Sequence, residues 1–491
     1  MSQPIRIHPE NPKLFEFRGK PLVLLTATEH YGSVMNRPFD FEKYLADAAE
    51  KKMTLSRLFV LFREFQDAIN PYSTCKPESP DYISPFPRTG PGLANDTQPK
   101  YDLDKWNLEF FERLHRFLRL ASSYGIIVEV TMLSDVYCDS VWAHNPLNSG
   151  NNINEQYEVD WTEFTSLRHP KLFERQAAHV RKIVEETNQY DNIYYEICNE
   201  PAGGDPGRPE TPQPDEVDEW QIAIARIIRE TEANMPNKHL IAGQEAFLWE
   251  PFEQPSTKSF RNFPVDIVNM HPLPNTSYEG RGYELGEFGR KQLKLREVRD
   301  FCLATYNEPK PLNYDEDNSS STSKDFDAWT NNRKRAWTTL LSGAHFDVID
   351  FSIINYCETG TPASQKHIRT WMKHLSEFVH SIDLAHAHPL SNVVTNLPEH
   401  ICESVFGVEG EDYCIYMADE REIDAPGYGT PIAGRVGISI PVGEYRVSLY
   451  SPASGLYSPI LQITGGKITL DLPPFEHDLC IRIRHRDLSD A

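Results

Sequence analysis

At 491 residues the chain exceeds what one hydrophobic core fills, so a large domain with a smaller companion is expected. Its 72 acidic against 49 basic residues give a formal charge of −23, a surface that repels nucleic acid and anionic lipid and suits a neutral partner. No stretch approaches the roughly 20 apolar residues of a membrane helix, and the opening MSQPIRIHPENPKLFEF lacks signal-peptide character, so a cytoplasmic location is expected. The eight cysteines, Cys75, Cys138, Cys198, Cys302, Cys357, Cys402, Cys414 and Cys480, form no CxxC pair and read as reduced structural thiols. Cys198 lies two residues before Glu200 without an adjoining histidine, which argues against a nucleophilic thiol.

Apolar runs alternate with amphipathic segments over most of the chain. PLVLLTATE (Pro21 to Glu29) reads as a strand, followed by a helix with Phe41, Tyr44, Leu45 and Ala48 on one face. TLSRLFVLF (Thr54 to Phe62) is a second strand, and a long Pro-rich loop leads to a helical stripe through Trp106, Phe110, Leu114, Phe117 and Ala121 that stops at Gly125. IIVEVTML, then a helix through Phe173, Ala177, Val180 and Val184, then NIYYEICNE supply strands three and four. A helix through Val217, Trp220, Ile224 and Ile227 precedes HLIAGQ and VDIVNMH. The helix GEFGRKQLKLREVRDFCLATY, the strand KPLNYDEDN, the helix FDAWTNNRKRAWTTLLSGAH, the strand FDVIDFSII and the helix IRTWMKHLSEFVHSIDL complete the series. This alternation predicts an α/β fold, a (β/α)8 TIM barrel over residues 1–390. A doubly wound open sheet is the rival, but no Gly-rich phosphate turn follows the first strand. From 391 to 491 the texture becomes short alternating runs such as EDYCIYMAD, RVGISIPVG, EYRVSLYSPASG and KITLDLPP, which predict a small antiparallel β-sandwich. The polar tract NSSSTSKD after strand seven suits an active-site loop.

In such a barrel the carboxyl ends of the strands share one mouth, so polar residues that end apolar strands are the site candidates. Strand four ends in Asn199 and Glu200; strand seven ends in Asp315, Glu316 and Asp317. These strands lie nearly opposite each other across the ring, and two facing carboxylates are what glycoside hydrolysis requires, at roughly 5 to 5.5 Å in the retaining version.

ICNEP resembles the Asn-Glu-Pro signature of the clan A retaining glycosidases, the superfamily of cellulase-like enzymes. The resemblance implies that Glu200 is the acid/base and that Asn199 bonds the sugar's 2-hydroxyl. KPLNYDED is similar to that superfamily's strand seven, and alignment from Lys310 and Pro311 implies Glu316 as nucleophile, with Asp315 standing where glycine is usual and the adjacent aspartates left as alternatives. Arg57 resembles a strand-two arginine that keeps the nucleophile ionised, or it is a barrel-wall ion pair. His271 matches a position that holds His or Tyr near the nucleophile, or it is a structural histidine. His30, Tyr31, Trp142, His144 and Trp249 follow strands one, three and five and are candidates for a sugar platform, although each is more often packing than ligand. Strand eight ends in DFSII without the tryptophan many of these enzymes place beneath the sugar.

The C-terminal segment resembles the sandwich of apiosidase-like glycosidases, which implies a role in stability or in shaping the cleft. No cofactor or metal is expected: His386 and His388 have no third ligand at usable spacing. The expected function is retaining O-glycoside hydrolysis, exo-acting on small glycosides, with a carbohydrate as partner. A non-catalytic carbohydrate-binding barrel and a metal-dependent barrel hydrolase or lyase are the alternatives. Sequence alone gives neither the sugar nor the oligomeric state.

Overall fold

The structure, a computed structural model, describes residues 3–29, 32–61, 79–203, 208–246, 258–271, 294–317, 326–421 and 425–488. Eight parallel strands form the barrel: β1 (Leu25–Thr28), β2 (Leu55–Phe59), β3 (Ile127–Ser134), β4 (Ile193–Asn199), β5 (Ile241–Gly243), β6 (Ile267–Asn269), β7 (Leu312–Tyr314) and β8 (His345–Ile349). The ladder runs β1-β8-β7-β6-β5-β4-β3-β2, the circular order of a (β/α)8 barrel. The seam between β1 and β2 is closed by Thr54, whose N–H donates to the Leu25 carbonyl at 2.9 Å and whose hydroxyl accepts from the Leu25 N–H at 2.9 Å.

Between the strands run α1 (Phe41–Glu50), α2 (Leu108–Tyr124), α3 (Pro170–Thr187), α4 (Pro214–Glu232), α5 (Lys258–Arg261), α6 (Leu295–Thr305), α7 (Phe326–Leu340) and α8 (Ile368–Val379). The predicted stripes are the buried faces: Phe110, Leu114, Phe117 and Ala121 of α2 and Val217, Trp220, Ile224 and Ile227 of α4 are all in the core. Asn107 caps α2 through a bond from the Glu109 N–H, and Gly125 ends it in the left-handed region at φ 74°. Among the described residues no helix is long and apolar enough to cross a membrane.

The run Pro21–Glu29 is not one strand. Lys20–Leu22 belongs to a three-stranded antiparallel sheet with Arg6–Ile7 and Phe15–Phe17, and only Leu25–Thr28 joins the barrel. The apolar run continues unbroken from the half-buried Pro21 and Leu22 into the buried Leu25–Thr28, so periodicity could not register the change of partner. The small sheet plugs the barrel floor: Ile5, Phe15 and Phe17 pack with Leu24, Leu55, Ile127, Tyr194, Ala242 and Ile267.

The C-terminal sheet begins at His388–Pro389 and is antiparallel throughout. Two of its strands are much longer than the short runs predicted: Ile432–Ser451 passes through Pro441 and Gly443, and it pairs with Leu461–Phe475. The junction between the predicted runs RVGISIPVG and EYRVSLYSPASG is a register shift between Ile440 and Glu444 within one strand. Opposite them a Cβ on Gly465 would lie 2.1 Å from the Pro441 carbonyl oxygen, so the kink needs glycine there. Ile415, Met417, Val436, Ile438, Val447 and Ile481 are among the apolar residues of the sheet's own core. The sheet packs on the barrel helices, where Trp337 of α7 stacks on Tyr416 at 5.4 Å and Arg333 donates to Asp478 at 2.8 and 2.9 Å, both members buried.

Candidate active site

Above the apolar floor the barrel interior turns polar. The second residue of each inward-facing pair along β2, β3 and β4 is charged: Arg57, Glu129 and Glu196 follow Leu55, Ile127 and Tyr194 by two positions. Arg57 is 2% exposed and acts as the hub. It donates to both oxygens of Glu196 at 2.8 Å, to the Asn199 Oδ1 at 2.8 Å and to Glu316 at 2.6 Å, and it lies 3.1 Å from Asp315. Thr131 also donates to Glu196 at 2.6 Å. Glu129 accepts from the Tyr194 hydroxyl at 2.8 Å and from the Asn269 amide. Asp347 of β8 is fully buried, and neither of its oxygens has a hydrogen-bond partner. Burial, reinforced by neighbouring carboxylates, pushes Glu129 well above the ordinary carboxylate range, and burial does the same to Asp347.

At the mouth the strand ends deliver Asn199, Glu200, His271 and Glu316. Ser134 and Asn199 are in register at the ends of β3 and β4, and the Asn199 amide donates to the Ser134 hydroxyl at 3.1 Å. It also donates to the Tyr137 hydroxyl at 2.6 Å, which in turn donates to Glu200 at 2.6 Å. Tyr137 and Glu200 both hold positive φ, 57° and 49°, a conformation that costs a non-glycine residue of order 1 kcal/mol or more and persists where surrounding contacts enforce it. His271 contacts Glu200 at 2.9 Å through Nδ1. One oxygen each of Glu200 and Glu316 and a ring nitrogen of His271 lie within 4.8 Å of one another.

The two carboxylates are pushed apart in proton affinity. Burial alone would raise Glu200, but the hydrogen bond and charge of His271, with help from Tyr137 and Arg57, hold it below the usual range. Glu316 is pushed up to about 7 by burial, with the charges of Glu200 and Asp315 adding to it and those of His271 and Arg57 opposing it. This ordering is the reverse of that expected from sequence, where Glu200 is the protonated member.

The other candidates are placed as follows. Arg57 is both things the sequence left open, a wall ion pair through Glu196 and a direct contact of Glu316. Trp142 is a packing residue rather than a platform: it is 6% exposed, its indole donates to the Val159 carbonyl at 2.8 Å and its ring packs on Phe164. The His144 ring bonds the Ser140 carbonyl one turn back at 2.9 Å. His30, Tyr31 and Trp249, Cys75, the start of the helix before β7 and the tract NSSSTSKD lie outside the described residues. The Cys198 thiol is buried and raised well above its ordinary value, chiefly by burial, which suits a structural role.

Sequence reasoning missed Tyr137, Ser134, Glu196, Glu129 and Asp347. For the last three a signal existed, a lone acid inside an otherwise apolar parallel strand; Tyr137 and Ser134 sit among loop-like residues and carried none. Tyr137→Phe removes a hydroxyl shared by Asn199 and Glu200, leaving a buried amide donor unsatisfied at about 1–3 kcal/mol. We expect a loss of roughly 5- to 100-fold in kcat/KM with an unchanged fold, read by kinetics alongside circular dichroism.

Two groups bring three potential metal donors within 4.8 Å, Glu200–His271–Glu316 and Glu129–Glu196–Asp315. Protein donors already engage them: Arg57 takes both oxygens of Glu196 and one of Glu316, Tyr137 and His271 take Glu200, and Tyr194 and Asn269 take Glu129. A guanidinium in this position is a poor neighbour for a cation, and neither set fits a metal well.

A family model described as Domain of unknown function (DUF6298) matches residues 75–191. Comparison with curated proteins gives no match. Among solved structures the chain is similar to one described as a glycoside hydrolase, with TM-score 0.60 and 12% identity over 99% of this chain and 98% of the other. It is similar also to a glycoside hydrolase family 5 protein from Bacteroides vulgatus, with TM-score 0.60 and 12% identity over 98% of this chain and 93% of that one. At such identity the likeness is one of fold, a parallel eight-stranded barrel with its strand ends gathered at one mouth.

Proposed function

We propose that the protein is a retaining O-glycosidase. Glu316 attacks the anomeric carbon to form a glycosyl-enzyme; Glu200 protonates the departing oxygen and then deprotonates the water that releases the sugar. The observation that carries this reading is the approach of Glu200 and Glu316 oxygens to within 4.8 Å, which supports the short carboxylate separation of double displacement over the roughly 6.5–9.5 Å of the inverting mechanism. The fold likeness to glycoside hydrolases supports the same class. Arg57 steadies the ionised nucleophile at 2.6 Å. Both hydrogens of the Asn199 amide are engaged, so it reaches a sugar 2-hydroxyl by releasing Tyr137, which keeps its bond to Glu200. We propose exo action on small glycosides, supported by the length of chain that separates β2 from α2 and β3 from α3.

A panel of 2-deoxy-2-fluoro glycosides with activated leaving groups tests the assignment. One sugar should inactivate the protein stoichiometrically, with the label on Glu316 in the peptide map. A label on Asp315 or Asp317 moves the nucleophile within the strand end, while sugar binding without label or turnover supports a binding barrel instead.

A further inference from the structure

Resting on the retaining reading, we infer that His271 is the proton store of the carboxylate pair, and that Asp315 is the positioning residue that holds it as an imidazolium between Glu200 and Glu316. His271 is 6% exposed and has a carboxylate at each end of its ring. Nδ1 lies 2.9 Å from Glu200, and Nε2 lies 3.5 Å from Asp315 and 3.8 Å from Glu316. A neutral imidazole has one N–H, so either tautomer would aim a nitrogen lone pair at a carboxylate oxygen unless that carboxyl carried the proton. The line from Glu200 through His271 to Asp315 therefore holds one proton beyond a neutral histidine between ionised carboxylates.

The charged groups around this ring come from four elements. Glu200 ends β4, Asp315 and Glu316 follow β7, Arg57 stands behind them on β2, and Tyr137 after β3 acts through Glu200. Burial opposes a charged imidazole, but Glu316 and Asp315 outweigh it and hold His271 well above its ordinary value. Asp315 is fully buried; neither of its oxygens makes a hydrogen bond of good geometry, and its Oδ2 sits 3.1 Å from Arg57. What it offers His271 is charge. With Glu200 held low, the proton rests on the imidazole.

The store feeds the reaction without net change. As the glycosidic oxygen arrives, the Nδ1 proton passes to the Glu200 Oε1 and from there to that oxygen, while the C–O bond breaks and Glu316 bonds the anomeric carbon. In the second step Glu200 takes a proton from water as the water oxygen displaces Glu316, and the proton returns to Nδ1. This accounts for the reversed ordering of the two carboxylates in the free protein: the acid's proton is parked one bond away.

Histidine labelled with 13C at Cε1 reads the charge directly in the unmodified protein, the His271 signal being the one missing from His271→Gln. It should stay at the imidazolium position from pH 6 to 9; a neutral ring at pH 7 overturns the inference whether or not any variant folds. In Asp315→Asn the His271 signal should titrate within that range, and the basic limb of kcat/KM should move down to pH 8 or below, at least a tenfold loss at pH 9 with a much smaller one at pH 6. A uniform loss at every pH means that Asp315 is only structural. Failure of the retaining reading is distinguishable, because it appears as a product of inverted anomeric configuration, or as no labelling by the 2-deoxy-2-fluoro glycosides, whatever the charge of His271.

Discussion

Glu316→Ala and Glu200→Ala are expected to fail in different ways on aryl glycosides. Without the nucleophile no glycosyl-enzyme forms, so Glu316→Ala should lose on the order of 10⁴-fold in kcat/KM or more, and equally for good and poor leaving groups. Without the acid the penalty depends on how much the leaving oxygen needs a proton: small for a dinitrophenolate, and about 10²- to 10⁴-fold for an alkyl glycoside. Azide separates the roles further. In Glu200→Ala it replaces the deprotonated water and yields a glycosyl azide of the substrate's anomeric configuration; in Glu316→Ala it enters the vacated space beside the anomeric carbon and yields the inverted one. Exchange of these outcomes would exchange the two assignments. The pH profile follows from the same pair. Glu316 attacks only when ionised, and its site pushes it up to about 7, so kcat/KM of the unmodified protein should fall about tenfold per unit below that value.

The parts of this molecule that were legible in sequence are those where a local pattern has a single physical cause. The alternation of apolar runs with helical stripes gave the barrel because each stripe buries one face, as Phe110, Leu114 and Phe117 do. Asn199 and Glu200 stood out because polar groups that end a buried strand need an exit, and a barrel mouth provides one. What stayed hidden depends on partners distant in sequence. Pro21–Glu29 changes sheet midway, and nothing in its composition marks the change. Trp142 looked like a ligand platform because a loop tryptophan has no periodicity to betray that Phe164 and the Val159 carbonyl claim it. RVGISIPVG and EYRVSLYSPASG read as separate runs, yet one strand passes through both by a kink at Pro441 and Gly443 opposite Gly465. The reversed proton affinities of Glu200 and Glu316 arise from His271 after β6, Asp315 beside Glu316 and Arg57 within β2, a balance set by distances rather than by motif.

Arg57→Met should be the most damaging single substitution to stability. The side chains are similar in length, so little packing is lost, but Glu196, Asp315 and Glu316, all buried, lose their shared cation. Breaking a buried ion pair from one side costs about 3–5 kcal/mol because the remaining charge has no compensation. That is a large part of the roughly 5–15 kcal/mol by which a domain is stable. The penalty should depend on pH with a definite sign. Arg57 lowers the proton affinity of all three carboxylates; without it Glu196 and Glu316, already raised by burial, rise further above their unfolded values, and Asp315, held below its own against burial by Arg57 and His271, loses part of that depression. A carboxyl raised by folding stabilises most below its unfolded value of about 4 and loses that contribution as pH rises through its folded value. The gap between Arg57→Met and the unmodified protein should therefore be widest above pH 7 and narrow as pH falls toward 5, where Asp315, held low in the unmodified protein, still keeps its share, read from urea midpoints at both ends of the range. An equal gap at both would mean that the loss comes from packing and not from the carboxylates. Arg57→Lys separates charge from geometry: one ammonium restores a cation but cannot span Glu196, Asn199 and Glu316 together as the fork does. It should recover much of the stability while leaving Glu316 poorly oriented and activity low, which would assign Arg57 two separable tasks, counter-ion of the barrel interior and director of the nucleophile.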